Sequence, residues 1–501
     1  MSNLYDLFQS CFPEDRSRPF LQTPEGLVVS YGDVEELSAQ YAGLLLSLGL
    51  EPGDRVAVQV DKSPEAVVLY LAVLRVGGVF LPLNTAYTGA ELEYFLTDSG
   101  SRIVVVQPQS EDAIRPIAKK AGAAHVLTMD GNGAGTLADG AAAVKAMSGS
   151  VPRENNDLAA ILYTSGTTGR SKGAMLSVEN LWSNAVTLRD CWGFTDTDVL
   201  LHALPIFHVH GLFVAISCVL TSASTMLFLP KYDADQVVEL LPRATTMMGV
   251  PTFYTRLLAH PDFGLDTCKN MRLFTSGSAP LLAETWNEFK DLTGHAILER
   301  YGMTETGMNT SNPLDGERIP GSVGPALPDV EVRVVDEAGN PLSTDEPGVL
   351  EVRGPNVFKG YWRMPEKTAE EFRDDGFFIT GDISKIDENG YVAIVGRAKD
   401  LIITGGYNVY PKEVEEAIDD LDGVIESAVI GITDPDFGER VVAVVKAVDS
   451  TALPDDKKMI ADLKTLLAGY KVPKDIIFVD DLPRNVMGKV QKADLRKTYG
   501  G

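Results

Sequence analysis

One stretch of the sequence, Tyr163-Thr-Ser-Gly-Thr-Thr-Gly-Arg-Ser-Lys-Gly173, is rich in glycine and hydroxyl side chains and contains a lysine. Glycines let backbone N–H groups approach an anion closely, hydroxyl groups donate hydrogen bonds, and a lysine adds positive charge. The spacing differs from a Walker A loop, which requires a Gly-Lys-Ser/Thr sequence. The stretch predicts a phosphate-binding loop with these donors: Thr164, Ser165, Gly166, Thr167, Thr168, Gly169 and Lys172.

The elements on either side must position this loop. Residues 158–162 form a short apolar run of the kind found in buried strands. Ser177 begins a segment whose acidic first turn is typical of a capped helix. We therefore expect a strand, the loop and then a helix, an order in which α/β proteins commonly hold phosphate.

Three further segments carry side chains suited to a nucleotide. In Tyr301-Gly-Met-Thr-Glu-Thr306, the aromatic ring can stack on a base, Thr304 can donate to a phosphoryl oxygen, and Glu305 suits magnesium. Asp382 offers a carboxylate for the hydroxyl groups of a ribose. Lys489 follows a glycine near the end of the sequence. Each segment alone is typical of an ordinary loop, and only their occurrence together, in this order, indicates a site.

Charge and cysteine content narrow the class of protein. The 501 residues include 44 Lys and Arg against 70 Asp and Glu, a net charge of −26, so nucleic acid and anionic membranes are poor partners. The four cysteines are scattered without a CxxC spacing, as in reducing compartments. No signal or transit peptide is apparent, and the longest apolar stretch is too short to span a bilayer. We expect a cytoplasmic protein that binds small molecules and no membrane.

The hydrophobic pattern changes along the chain. From residue 31 to 106, and again after the glycine-rich loop, strand-like runs alternate with helical periodicity, which predicts parallel sheets covered by helices. From about residue 321 to 396, short alternating strands predict a small β-barrel or sandwich. The remaining residues indicate a separate α+β unit, with a helix that begins at Pro411.

Six motifs in this order resemble the adenylate-forming superfamily, which includes acyl-CoA synthetases, adenylation domains and firefly-type luciferases. The motifs are Tyr163–Gly173, Pro205-Ile-Phe-His208, Tyr301–Thr306, Thr380-Gly-Asp382, Gly396-Arg-Ala-Lys-Asp400 and Gly488-Lys489. The resemblance covers essentially the whole chain. It implies an α/β fold whose large N-terminal domain, residues 1–398, contains two doubly wound α/β subdomains and a small β-barrel. It also implies a small mobile α+β C-terminal domain, residues 399–501.

The resemblance assigns the nucleotide site residue by residue. The glycine-rich loop would hold the β- and γ-phosphates of ATP, and Tyr301 would stack on adenine. Thr304 would bind the α-phosphate, and Glu305 would ligate Mg²⁺. The ribose would be bound by Asp382 and Arg397.

The resemblance also implies a two-step reaction, in which a carboxylate attacks the α-phosphorus of ATP and CoA then displaces AMP. Lys489 would bridge the two anions during the first step, where positive charge is most needed. Lys399 would be the hinge of the C-terminal domain, and Gly405 and Gly406 would line the tunnel for the CoA thiol. Acetylation would remove the charge of Lys489, so we expect this residue to be a regulatory switch as well.

The identity of the carboxylate depends on Arg300, which directly precedes Tyr301. A guanidinium beside the acyl pocket is unsuited to a fatty or aryl acid, but it can bind a second carboxylate in a bidentate fork. The surrounding sequence resembles the malonate-activating members of the superfamily, which implies that His208, Ser278 and Arg300 contact malonate. The implied activity is ATP-dependent formation of malonyl-CoA, AMP and pyrophosphate. The implied catalytic residues are Lys489, Glu305, Thr304 and His208.

Several alternatives stay open from the sequence. Methylmalonate or another short carboxylic acid could replace malonate, and a free-standing adenylation enzyme could load a carrier protein instead of CoA. Arg300 could instead form a structural ion pair with Glu299 or another acid. A nucleotide-binding protein without chemistry is disfavoured, because both Lys489 and Glu305 are present.

Overall fold

The computed structural model describes residues 3–164, 171–404, 407–434, 437–467, 469–485 and 488–500. The strands in these ranges are β1 (Pro19–Gln22), β2 (Val28–Ser30), β3 (Arg55–Gln59), β4 (Val79–Pro82), β5 (Ile103–Val106), β6 (His125–Thr128), β7 (Leu158–Thr164), β8 (Lys172–Ser177), β9 (Val199–His202), β10 (Thr225–Phe228), β11 (Thr246–Gly249), β12 (Leu273–Ser276), β13 (Leu298–Met303), β14 (Gly307–Ser311), β15 (Glu331–Val335), β16 (Gly348–Arg353), β17 (Phe378–Ile386), β18 (Val392–Arg397), β19 (Ile402–Thr404), β20 (Tyr407–Val409), β21 (Val424–Asp434), β22 (Gly438–Ala447) and β23 (Asp475–Val479).

The α-helices in the same ranges are α1 (Leu4–Ser10), α2 (Tyr31–Ser47), α3 (Pro64–Arg75), α4 (Gly89–Ser99), α5 (Glu111–Lys120), α6 (Thr136–Ala142), α7 (Val178–Cys191), α8 (Ile216–Ser222), α9 (Ala234–Leu240), α10 (Pro251–Leu258), α11 (Leu265–Cys268), α12 (Ala283–Thr293), α13 (Pro365–Glu370), α14 (Pro411–Asp419), α15 (Asp456–Leu466) and α16 (Lys492–Tyr499). A π-helical turn, His210–Ala215, leads into α8, and 3₁₀ helices span Pro108–Ser110, Leu241–Arg243 and Ala398–Asp400. No helix in the described ranges is both long and apolar enough to cross a membrane.

Two mostly parallel sheets form the first part of the fold. One has the strand order β6-β5-β3-β4-β7-β8, and the other has the order β14-β13-β12-β11-β9-β10-β1-β2. Their central strands are parallel, whereas the edge pairs β7–β8, β13–β14 and β1–β2 are antiparallel. A continuous cluster of buried apolar side chains joins the sheets and their helices. This arrangement confirms the two doubly wound subdomains.

The predicted β-barrel is an open antiparallel sheet. Its strand order is β15-β16-β17-β18, and within the described part of the chain no ladder joins β15 to β18. The edge at β18 is covered by the chain itself, because Val323 N donates to Val392 O at 2.8 Å and Val392 N donates to Gly324 O at 3.1 Å. A covered edge does not need closure to avoid exposed backbone groups. The prediction of a barrel is therefore corrected to a sheet.

The predicted order of strand, loop and helix around the glycine-rich loop is wrong. Thr164 on β7 pairs with Lys172 on β8, so the loop lies between two antiparallel strands. α7 begins only after β8, where the Ser177 side chain accepts from Asn180 N at 3.2 Å. β8 begins with Lys172 and Gly173, so only three apolar residues, 174–176, marked this strand in the sequence. The predicted phosphate donors Ser165, Gly166, Thr167, Thr168 and Gly169 lie outside the described residues.

The last part of the chain forms an α+β unit, as predicted. Its sheet has the order β20-β19-β22-β21, and β23 pairs with β22. α14 and α15 pack on one apolar face and α16 packs on the other. Lys399 and Asp400 lie in the short 3₁₀ helix before this unit. Asp400 Oδ1 is 2.6 Å from Nη2 of Arg496, which lies on α16. The predicted tunnel residues Gly405 and Gly406 are not among the described residues.

Candidate active site

β13 contains the neighbouring residues Glu299 and Arg300, for which the sequence left an ion pair open. Successive side chains of a strand point to opposite faces, so Glu299 and Arg300 diverge. Glu299 Oε1 accepts from Gly321 N at 2.9 Å, and burial raises the pKa of this carboxyl to about 8. Arg300 packs instead against Gly277 in the loop that follows β12. The structural ion pair between Glu299 and Arg300 that the sequence left open is therefore not formed.

The predicted ribose-binding residues contact one another. β17 and β18 place Asp382 opposite Arg397, and Arg397 Nε lies 2.6 Å from Asp382 Oδ1. The hydroxyl group of Tyr301 donates to Asp382 Oδ2. Asp382 is buried, so it serves as a shared acceptor inside the fold. The structure thus joins three of the predicted nucleotide-binding residues around one carboxylate.

Glu305, the predicted metal ligand, is buried beside two residues that the sequence analysis missed. The Tyr361 hydroxyl lies 3.1 Å from Glu305 Oε1 and 2.7 Å from Glu371 Oε2. Lys172 Nζ is ion-paired with Glu371 Oε1 at 2.8 Å and lies 4.0 Å from the centre of the Tyr361 ring. Lys172 therefore pairs with Glu371, a contact that the sequence did not predict. Glu371 and Tyr361 connect Lys172 to Glu305 through hydrogen bonds.

Burial raises the pKa of Glu305, because a desolvated carboxylate is disfavoured. In the described part of the chain, no three His, Cys, Asp or Glu side chains converge to hold a metal ion by themselves. One carboxylate together with substrate phosphates is a donor set that Mg²⁺ commonly uses. Glu305 fits that role. Thr304 lies half-buried in the turn between β13 and β14, and Thr164 lies half-buried at the end of β7.

Arg300 is a buried cation, and none of the described residues is a carboxylate partner for its charge. The residue is 3% exposed, and its Nε and Nη2 atoms have no hydrogen-bond partner. Burial lowers its pKa to about 10, and the neighbours that counteract this shift are Tyr254 and Cys218, neither of them a carboxylate. The guanidinium group still carries its charge at neutral pH.

The loop after β12 is shaped around this guanidinium. A Cβ atom on Gly277 would lie 2.3 Å from Arg300 Nη1 and 2.5 Å from Cζ, so only glycine leaves room for the side chain. Ser278 has a φ of 71°, in the left-handed region that residues other than glycine rarely adopt. Strained residues of this kind cluster at functional sites. The predicted substrate residues Ser278 and Arg300 are therefore adjacent in the structure.

His210 is a site residue that the sequence analysis did not assign. It lies at the start of the π-helical turn, is 3% exposed, and its Nδ1 lies 3.3 Å from Ser278 Oγ. Burial and then Arg300 hold the pKa of this imidazole well below its usual value, and its Nε2 has no hydrogen-bond partner in the described ranges. Burial lowers the pKa of His208 to about 4, and His208 Nε2 also lacks a partner. The sequence contained one indication that His210 belongs to the site, because this residue is only two positions after the predicted His208.

Lys489 lies between the two groups of residues. Its charge lowers the pKa of His208 on one side, while Asp382 and Glu305 act on its own pKa from the other. The surrounding protein removes part of the water from the Lys489 ammonium group, and this effect and then Arg397 lower its pKa. The side chain as a whole remains accessible to solvent. The preceding residue is close to α10, because a Cβ on Gly488 would lie 3.1 Å from Thr252 Cγ2. The cleft can therefore bring two anions together at one ammonium group.

Comparison with known proteins agrees with this geometry. A family model of AMP-binding enzymes matches residues 12–362, and a model of the AMP-binding enzyme C-terminal domain matches residues 413–489. The mitochondrial malonate–CoA ligase of Bos taurus is 37% identical over 487 residues, which cover 89% of this chain and 82% of that protein. Feruloyl-CoA synthase of an Amycolatopsis species is 35% identical over 480 residues, 95% of each chain.

A solved structure extends the similarity to the whole chain. ATP-bound MatB from Rhodopseudomonas palustris superposes with a TM-score of 0.97 at 57% identity, and the match covers 99% of both chains. The family models, the relatives and this structure agree along nearly the full length of the sequence. The chain therefore belongs to the family of AMP-binding enzymes.

Proposed function

We propose that this protein activates malonate with ATP and transfers it to CoA, which forms malonyl-CoA, AMP and pyrophosphate through a malonyl-adenylate. The observation that carries the proposal is the buried Arg300, two of whose guanidinium nitrogens find no partner among the residues that the structure describes. A desolvated cation is unfavourable unless a ligand supplies the anion. Malonate has a second carboxylate for this purpose, whereas ferulate and acetate have only one. Relatives named malonate–CoA ligase in Bos taurus and Arabidopsis thaliana support the same assignment.

The charges of the cleft suit a dicarboxylate. Arg300 would hold the distal carboxylate, and Lys489 would meet the reacting carboxylate as it attacks the α-phosphorus. His208 stays neutral above its lowered pKa of about 4, so it contributes hydrogen bonds without additional charge. Mg²⁺, held by Glu305 and the phosphates, would neutralise charge on the triphosphate. Arg300 and Lys489 thus match the two carboxylates of the substrate.

The remaining roles follow the resemblance found in the sequence. We propose that Tyr301 stacks on adenine, that Asp382 and Arg397 bind the ribose, and that Thr304 binds the α-phosphate. The phosphate donors of the glycine-rich loop would be Thr164, Ser165, Gly166, Thr167, Thr168, Gly169 and Lys172. Lys172 would have to exchange its ion pair with Glu371 for the phosphates when ATP binds.

The second step requires the C-terminal domain to turn, and we propose Lys399 as its hinge. The boundary between residues 398 and 399 lies in the gap between the two family models, which match residues 12–362 and 413–489. Gly405 and Gly406 would then line the tunnel for the CoA thiol. Acetylation of Lys489 would stop the first step, since it removes the charge that bridges the anions.

We also propose that the protein works in the cytoplasm. All four cysteines are unpaired, which suits a reducing compartment. Several relatives carry mitochondrial names, so cell fractionation with an antibody against this chain is the appropriate test.

The function is tested with a panel of acids. Malonate, methylmalonate, acetate and ferulate are each supplied with ATP and Mg²⁺, and AMP release is measured with and without CoA. We expect kcat/KM for malonate to exceed that for acetate by roughly 10⁴, because a site built around a buried polar group rejects ligands that leave it unpaired. Comparable values for acetate or ferulate would overturn the proposal.

A further inference from the structure

Lys62 is half-buried, and within the described part of the chain no carboxylate forms an ion pair with its ammonium group. The residue directly precedes Ser63, whose side chain caps α3. Its Nζ lies 2.8 Å from His202 Nδ1, 2.9 Å from His202 O and 4.3 Å from the centre of the Phe228 ring. Burial holds its pKa well below the usual value, and no charged neighbour offsets that shift. A charged group that loses part of its water is usually paired with an opposite charge, so this arrangement calls for a reason.

His202 connects Lys62 to the acyl side of the cleft through a hydrogen bond to Gly211. It ends β9, is 1% exposed, and its Nε2 lies 2.9 Å from Gly211 O. A neutral imidazole has one donor and one acceptor nitrogen. Since Lys62 donates to Nδ1, the hydrogen of the ring must be on Nε2, where it is donated to Gly211 O. Burial and then Lys62 lower the pKa of His202 to about 3, so the ring stays neutral.

The bond from His202 to Gly211 closes the loop that contains the two pocket histidines. Residues 203–210 leave β9 and return at the π-helical turn. A Cβ on Gly211 would lie 2.1 Å from Pro205 O, so the two ends of the loop pack directly on each other. His210 directly precedes Gly211 and extends to Ser278 beside Arg300. A shift of the Gly211 carbonyl would therefore move His210 away from the acyl pocket.

We propose that Lys62 and His202 are positioning residues for the acyl pocket. Lys62 fixes the tautomer of His202, and His202 holds Gly211 so that His208 and His210 face the substrate. Neither residue needs to touch the substrate for this role. The inference rests on the proposed function for the identity of the acid, but the contacts that carry it do not depend on which acid is used.

The experiment compares paired variants of the full chain. Lys62→Met and His202→Leu remove the hydrogen bonds, whereas His202→Gln keeps an acceptor for Lys62 and a donor for Gly211.

Two matched controls lie outside the cleft. Lys446→Met removes a half-buried lysine that pairs with Asp481 at 3.0 Å, and His295→Leu removes a histidine that contacts Cys268 O at 3.2 Å. For every protein, kcat/KM for malonate, KM for ATP and the thermal unfolding midpoint are measured.

We expect Lys62→Met and His202→Leu to lower kcat/KM for malonate about 10- to 100-fold, because small displacements of binding groups have effects of this size. The preference for malonate over acetate should fall in parallel, while KM for ATP changes less than about twofold and so shows that the variants are folded. His202→Gln should retain most of the malonate activity, and both controls should resemble wild type.

Two results would overturn the inference. One is an equal loss in the malonate and ATP parameters, which marks a general structural role. The other is an equal loss in His202→Gln and His202→Leu, which shows that the hydrogen bonds are irrelevant. The acid panel on wild type separates this test from the proposed function. If wild type prefers another acid, the malonate assignment fails, and the ratio of variant to wild type for that acid still tests Lys62 and His202.

Discussion

On the nucleotide side of the cleft, Asp382 already pairs with Arg397 and accepts from Tyr301. On the acyl side, Arg300, His208 and His210 have buried nitrogen atoms for which the described residues supply no partner. A nucleotide must therefore adapt to bonds that exist before it binds. An acyl ligand supplies the partners that are missing. Unpaired buried polar groups are unfavourable in the free protein. The acyl side therefore lowers the stability of the unliganded protein, whereas the paired groups on the nucleotide side do not.

This difference predicts where selectivity arises. A ligand that leaves Arg300 unpaired gains little from the acyl pocket, so that pocket discriminates between acids. The nucleotide side holds its shape through its own hydrogen bonds, and its residues support folding as well as binding. Variants on the two sides should therefore have opposite effects on stability, even where both reduce activity.

The largest effect is expected at Lys489, which lies between the two sides. Lys489→Ala should lower the rate of malonyl-adenylate formation by roughly 10²–10³, because one electrostatic donor to the transition state is lost. Lys489→Gln, which imitates acetylation, should behave in the same way. The measurement is ATP–pyrophosphate exchange with malonate, and the exposed Lys464→Ala serves as a control. Thioester formation from synthetic malonyl-AMP and CoA should be largely spared. An equal loss in both steps would contradict the separate role of Lys489 in adenylation.

Arg300→Met should have the next largest effect and is restricted to the acyl side. Loss of a charge-assisted bond of about 1.5–3 kcal/mol should lower kcat/KM for malonate at least about tenfold, with little change in KM for ATP. Arg300→Lys should not restore activity, because a point charge cannot form the bidentate fork. The free energy of unfolding of the unliganded protein should not fall, since a buried unpaired charge is removed.

The monoamide of malonate provides the control for Arg300. It lacks the distal charge, so its kcat/KM should fall much less than that of malonate when Arg300 is replaced. The four values form a cycle that isolates the ion pair. If both substrates lose activity equally, Arg300 supports the strand that carries Tyr301 and does not bind the distal carboxylate.

Asp382→Asn should show the opposite pattern on the nucleotide side. We expect KM for ATP to rise and the free energy of unfolding to fall by about 1–3 kcal/mol, because Arg397 loses its anionic acceptor. The lower end of this range is expected, since Arg397 is partly solvated. Denaturant unfolding and ATP titration measure the two effects. Unchanged stability would remove the contrast between the two sides.

The smallest effect concerns pH. His208 has a pKa lowered from 6.5 to about 4, so between these values the unfolded chain binds a proton that the folded protein excludes. The free energy of unfolding should therefore decrease as pH falls from 6.5 toward 4, and His208→Gln should weaken this dependence. Denaturant unfolding across that range is the measurement. Identical pH profiles for wild type and variant would show that His208 is not buried as described.

Local features of the sequence predicted much of the architecture and several site residues. Tyr301, Thr304 and Glu305 belong to one strand and the turn after it, so their proximity needs no knowledge of the fold. The alternation of strands and helices, and the helix that begins at Pro411, were also predictable, since periodicity and helix-start signals act over a few residues.

Other features depended on contacts between distant parts of the chain. Lys172 pairs with Glu371, 199 residues away, and no local pattern relates these two residues. Lys62 and His202 are 140 residues apart, and the strands that precede Lys62 and end at His202 belong to different sheets. Even the missed strand β8 is recognised by its ladder to β7, because its own sequence begins with Lys172 and Gly173 and contains only three apolar residues.

The identity of Arg300 was visible in the sequence, but its unpaired state was not. An ion pair with Glu299 was also open from the sequence, but β13 places the two side chains on opposite faces. Sequence determines which charged groups are present and how neighbouring residues alternate. Only the tertiary structure decides which charges lose water and which find a partner, because desolvation and pairing depend on residues that folding brings together from distant positions.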